Sequence, residues 1–188
     1  ITDHGALYGA VAFYQAARAK GIKPIIGVET YVAPRSMTSK EGKADSAPFH
    51  LILLARDYAG YQNLCRLITD AHVDGYYYKP RIDLEHLREF SEGLIGLSAC
   101  LKGEINERIL TNREAEAEGR AREYADILGS ENFFLGLQDH GIPEQRAANE
   151  VLRRMSRKLG LGLVVTNDCH YLHQSDSVAH DVLLCIGT

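Results

Sequence analysis

An α/β fold built as a barrel is what this sequence predicts, and three observations carry the prediction. Strand-like apolar runs alternate with helical segments along nearly the whole chain, which favours a parallel sheet covered on both faces. Side chains with metal-binding atoms stand at or near almost every strand, as they do where barrel strands open onto one end. The Gly-rich phosphate loops of open doubly wound sheets, G-x-G-x-x-G and G-x-x-x-x-G-K-[ST], do not occur.

Each element has its own signal. The chain opens at Ile1 in what reads as the last turn of a strand, so a barrel whose first strand lies upstream of Ile1 is expected. Ala6 to Lys20 is Ala-rich with Leu7, Val11 and Tyr14 at helical spacing, and Gly21 is placed to stop that helix. Lys23 to Val32 reads as a buried strand, and Pro34 to Pro48, polar and nearly free of apolar residues, as an exposed, mobile loop. His50 to Ala55 is the next strand and Asp57 to His72 the next helix. After Gly75-Tyr76-Tyr77-Tyr78-Lys79-Pro80-Arg81, Asp83 can cap a short helix reaching about Phe90. Gly93 to Ser98 and Asn132 to Leu137 read as strands on either side of helices at Glu104 to Leu110 and Arg113 to Leu128. The second of those helices carries a dense charged face that solvation alone accounts for. Pro143 to Leu159 is a helix with Pro in its first turn, Leu163 to Thr166 a strand, and Asp176 to Cys185 a final helix.

Composition narrows the chemistry. A chain of 188 residues with 45% hydrophobic content can bury a sizeable single core, on the order of 70% of its unfolded surface. The net charge of -4 gives no general attraction to nucleic acid, so a phosphate backbone would need a local patch, a bound cation or another domain. Cys65, Cys100, Cys169 and Cys185 are widely spaced, which argues against a zinc ribbon or a disulfide scaffold and for a reducing cytoplasm. The sequence holds no apolar run of about 18 residues, the length a membrane span needs, and no signal-peptide pattern.

The donor residues are His4, Glu29, His50, Cys100, His140, Asp168 and His170. His, Asp, Glu and Cys together suit Zn²⁺ or Mn²⁺, and seven such residues exceed the needs of one tetrahedral zinc. A multinuclear centre would activate water and hold a phosphoryl group, so phosphoester hydrolysis is the matching reaction. Glu29 lies inside an apolar strand, where an unpaired carboxylate is costly and a cation partner is the economical explanation. His50 precedes its strand and would sit at the wrong end of an all-parallel barrel, while Cys100 taken alone reads as a small core residue. His4 and His170 can also be read as loop or capping histidines. Tyrosines beside Lys79 and Arg81 suit stacking of bases and binding of phosphate, the fork of Arg81 matching two oxygens, or else simple packing on the barrel rim.

Ile1-Thr2-Asp3-His4-Gly5, Gly27-Val28-Glu29, Ser98-Ala99-Cys100 and Thr166-Asn167-Asp168-Cys169-His170 resemble motifs of the polymerase and histidinol phosphatase (PHP) domain. Gly60-Tyr61-Gln62-Asn63-Leu64, Tyr77-Tyr78-Lys79-Pro80-Arg81-Ile82-Asp83 and Asp139-His140-Gly141-Ile142-Pro143-Glu144-Gln145 place the resemblance in the branch found in bacterial DNA polymerase III alpha subunits. It covers residues 1–188 in the expected order. It implies a distorted seven-stranded (β/α) barrel holding up to three Zn²⁺ or Mn²⁺ ions, with a His-x-His motif on a strand upstream of Ile1 and polymerase domains downstream. It assigns His4, Glu29, His50, Cys100, Asp168 and His170 as metal ligands. Asp3 would orient a ligand, His140 would serve as ligand, phosphate contact or general acid, and Lys79 and Arg81 would hold substrate. The implied function is a metal-dependent 3′ to 5′ exonuclease within a DNA-directed DNA polymerase, a nucleotidyltransferase. Its expected partners are a DNA 3′ primer end, the sliding clamp and the clamp loader, in the bacterial cytoplasm with no membrane. A non-catalytic scaffold and a free-standing histidinol-phosphatase-like phosphomonoesterase remain as alternatives.

Overall fold

One strand runs against the others, and that reversal shapes the molecule. The computed structural model describes residues 1–186. Its sheet has seven strands: β1 (Thr2–His4), β2 (Gly27–Val32), β3 (Phe49–Ala55), β4 (Arg81–Ile82), β5 (Leu94–Leu97), β6 (Phe133–Leu137) and β7 (Gly162–Val165). The order is β1-β2-β3-β5-β6-β7, and β4 pairs with β2. Neighbours are parallel except β3, which is antiparallel to both β2 and β5. The all-parallel sheet expected from the sequence is thus corrected to a mixed one.

Around the sheet lie α1 (Ala10–Ala19), α2 (Gly42–Ser46), α3 (Tyr58–Val73), α4 (Leu84–Glu89), α5 (Glu104–Leu110), α6 (Glu114–Leu128), α7 (Pro143–Leu159) and α8 (Ser177–Ile186). Their ends follow local chemistry. The carboxylates of Asp57 and Asp83 accept from Gly60 N and His86 N, each at 2.9 Å, and so start α3 and α4. Pro143 opens α7, and Gly160, at φ 69°, closes it in the left-handed conformation that costs glycine nothing.

The core packs Val28, Leu51, Leu53, Leu94, Phe133 and Leu135 of the strands against Leu64, Leu67, Leu87, Ile105, Leu152 and Met155 of the helices. Each such burial contributes roughly 1.5–3 kcal/mol, which is what holds the helices to the sheet. The charged face of α6 is only partly solvated. Arg120 turns inward to Glu104 at 2.9 Å, and the buried Tyr124 hydroxyl donates to the same carboxylate at 3.1 Å. Glu118 pairs with Lys158 of α7 at 2.7 Å.

Residues 34–48, expected to be a loop exposed throughout, form a strap with α2 inside it. Its fully buried Asp45 accepts two hydrogen bonds from Arg35, at 2.9 and 2.7 Å. The strap is tied down by Arg81, whose guanidinium reaches the carbonyls of Met37, Ser39 and Asp45 at 2.8–2.9 Å and that of Gly75 at 3.0 Å. The backbone around Arg81 is the short strand β4, which the sequence did not announce because two residues show no period. β4 continues along the edge of β2 where β1 ends, so the segment from Tyr76 to Arg81 is carried to His4.

Candidate metal centre

The reversal of β3 settles where His50 stands. Because β3 is antiparallel to β2, its first residues lie beside the last residues of β2: Tyr31 pairs with His50 and Glu29 with Ile52. His50 therefore sits at the same end of the sheet as Glu29, and the objection drawn from an all-parallel barrel disappears. A second device aims Cys100. Ala99, buried and held at φ 61°, turns the chain sharply after β5, and Gly103 allows the return because a Cβ there would come within 2.1 Å of Ser98 O.

The side chains converge closely. Glu29, only 6% exposed, has an imidazole on each oxygen: His50 Nδ1 at 2.5 Å from Oε1 and His4 Nδ1 at 3.4 Å from Oε2. One donor atom each from His4, Glu29 and His50 fall within 4.8 Å of one another. Cys100 Sγ lies 3.7 Å from His50 Nδ1, and His170 Nε2 lies 3.5 Å from His4 Nε2. His170 is positioned in turn by Asp168, whose carbonyl oxygen is 2.9 Å and carboxylate 3.6 Å from Nδ1. His4, Glu29, Cys100, Asp168 and His170 line a cavity of about 240 Å³ together with Asp3, Gln138, Asn167 and Cys169.

Electrostatics match this grouping. Burial alone would raise the Glu29 carboxyl, but the hydrogen bond with His50 and the charges of His50, His4 and His170 hold it below the ordinary carboxylate range. Burial pulls the His50 imidazole down, yet hydrogen bonds and charge from Cys100 and Glu29 push it up to about 9. A buried carboxylate ringed by imidazoles and a thiol is a donor set that suits Zn²⁺ or Mn²⁺.

Other expected residues fall elsewhere. Arg81 is completely buried and its N–H groups are taken by four main-chain carbonyls, so it is corrected from a phosphate contact to an internal anchor of the strap. Lys79 stays at the rim, its Nζ 5.6 Å above the ring of Tyr31. His140 is exposed and does not line the cavity; its Nδ1 is 2.9 Å from Gln145 Nε2, and Gln145 reaches the cavity-lining Gln138 at 3.3 Å. Asp3 lines the cavity, and a Cβ on Gly9, just before α1, would lie 3.2 Å from its Oδ2.

Sequence reasoning missed Gln138, Tyr31 and His180. Gln138 directly follows β6, a position that marks the functional end of a barrel and could have flagged it. Tyr31 stacks on His4 with centroids 6.1 Å apart and meets His50 edge-on at 5.2 Å. His180 of α8 lies against His170, centroids 5.4 Å apart. A larger cleft of about 590 Å³, lined by Tyr14, Tyr58 and Tyr61, opens at the other end of β3, beside Ala55, and carries no comparable donor set.

A sequence profile of the PHP domain matches residues 1–140. The chain belongs to the PHP domain family. Among similar proteins, the DNA polymerase III subunit alpha of Thermus aquaticus is 53% identical over 99% of this chain. Those of Treponema pallidum and Deinococcus radiodurans are 47% and 46% identical over 100% of it. The chain spans 15%, 16% and 14% of these three relatives, respectively. Among the described residues, no helix of this PHP chain is long and apolar enough to cross a membrane.

Proposed function

We propose that this PHP domain is a metal-dependent phosphoesterase that acts as a 3′ to 5′ exonuclease on DNA within a bacterial DNA polymerase III alpha subunit. The observation that carries the reading is the convergence of His4, Glu29, Cys100, Asp168 and His170 on one small cavity at the strand ends, with His50 bonded to Glu29 and next to Cys100. Divalent ions bound there, Zn²⁺ or Mn²⁺, would activate water and offset phosphoryl charge. Glu29 and His50 form the closed side of the centre and fix each other's orientation. Asp168 and His170 form its open side, facing an incoming phosphate. Gln138 offers a neutral amide to the phosphate and Lys79 a cation at the rim, while His140, outside the cavity, bears on it through Gln145 and Gln138.

The relatives support the polymerase setting, and in our reading the enzyme is cytoplasmic and works beside the sliding clamp and clamp loader. The test is release of nucleotides from a 3′-mispaired primer by the intact protein, with and without Zn²⁺ or Mn²⁺, for wild type and Asp168→Asn. Metal-dependent release that collapses in the variant is expected. Equal, negligible release from both would leave a structural scaffold as the better reading.

A further inference from the structure

The turn at Tyr77-Tyr78-Lys79 is built in a way that packing alone does not explain. Tyr78 has φ 59° and is 69% exposed. A bulky residue seldom adopts this conformation, and where it does the strain survives because the surroundings enforce it, often at a ligand clamp. Asn112, at φ 60°, is the residue type that such a position ordinarily takes. Tyrosine is not such a type, and here its one ring contact leaves the residue largely exposed.

The enforcement is visible in the base of the turn. Tyr77 N donates to Lys79 O at 3.0 Å, and the rings of Tyr77 and Tyr78 meet edge-on with centroids 4.7 Å apart. The guanidinium of Arg81 lies 5.2 Å from the Tyr77 ring, itself immobilised by its carbonyl partners. Gly75 completes the base, since a Cβ there would come within 1.9 Å of Arg81 O. The turn is also fixed relative to the metal centre. Pro80 packs against Gly5, next to His4, so closely that a Cβ on Gly5 would lie 2.8 Å from Pro80 Cγ. Lys79 is directed over Tyr31, whose ring touches those of His4 and His50. A rigid base thus holds a cation toward the centre and an exposed aromatic ring beside it.

We propose that Tyr78 is the stacking platform for the terminal base of a single-stranded DNA 3′ end, with Lys79 on the adjoining phosphate. A base freed from its partner can swing onto a ring outside the duplex, whereas a paired one is held in line with its neighbours, so this grip selects frayed or mispaired ends over paired ones. It also selects nucleotides over phosphomonoesters that lack a ring. The inference rests on the reading of the centre as a DNA phosphoesterase for the place of the DNA end, and its test is separable from that reading.

The experiment irradiates the intact protein, in chelator, with a short single strand ending in 5-iododeoxyuridine, and maps the adduct by peptide sequencing. Wild type is expected to carry the adduct on Tyr78. Tyr78→Gly removes the ring and relieves the strained φ, so it keeps the fold while adduct yield falls at least about fivefold, the lower bound for loss of one stacked base. Tyr78→Phe restores the yield. An adduct only at other residues, an undiminished yield in Tyr78→Gly, or equal yield from a fully paired end overturns the proposal. So does a loss of Zn²⁺ uptake in Tyr78→Gly, which would make the turn a structural support of His4. An adduct on Tyr78 in a protein without metal-dependent excision would instead defeat the exonuclease reading and leave the platform standing.

Discussion

The two sides of the proposed metal centre are made differently. On the closed side the Glu29 and His50 side chains are 7% and 12% exposed and bonded to each other, between strands that pair along their length. On the open side Asp168 and His170 are 33% and 41% exposed, on the loop that leaves the edge strand β7. Preorganisation is thus concentrated on one side, where residues must hold position, while the other is left open to solvent.

The largest expected effect tests the framework behind the closed side. Arg81→Met would leave main-chain carbonyls of the strap and of Gly75 without donors and lower unfolding stability by about 3 kcal/mol or more, read by denaturant titration. Arg81→Lys should not rescue it, because a single ammonium cannot reproduce the fork. Next, Glu29→Ala should weaken Zn²⁺ binding by more than about 100-fold, at or beyond the range for residues that merely support a ligand, as measured calorimetrically. His170→Ala should cost about 10-fold in metal affinity yet leave the metal-free protein within about 0.5 kcal/mol of wild type. Equal destabilisation of the metal-free protein by the Glu29 and His170 substitutions would erase the distinction between the two sides.

The smallest effect is one of pH. Hydrogen bonds from Arg35, then from Glu41 N, hold the Asp45 carboxyl below its usual value. Its folded pKa is depressed, so its contribution is present above the unfolded value of about 3.9 and is lost as pH falls through the folded one. Amide exchange in residues 34–48 should accelerate in acid before that of β7, and Asp45→Asn should abolish the difference.

Local chemistry made most elements legible: a carboxylate cap at Asp83, the proline that opens α7, and apolar runs matched to the core. The direction of β3 was not legible, because a strand's own residues carry no arrow and only its partners assign one. That gap also hid the placement of His50. Arg81 was misread because a guanidinium suits phosphate oxygens and main-chain carbonyls alike, and only burial distinguishes them. Glu29 was recognisable from the cost of an unpaired buried carboxylate. Cys100 needed the family pattern, since a half-buried thiol is also an ordinary packing residue.

The contact between His4 and His170 joins residues 166 positions apart in sequence, one on β1 and the other on the loop after β7, strands at opposite ends of the sheet. Closing so long a loop is entropically costly, and contacts of this separation form late in folding, after the intervening strands have paired. The centre is therefore assembled last. A chain still emerging from the ribosome, or arrested partway through folding, carries separate donors but no completed donor cluster.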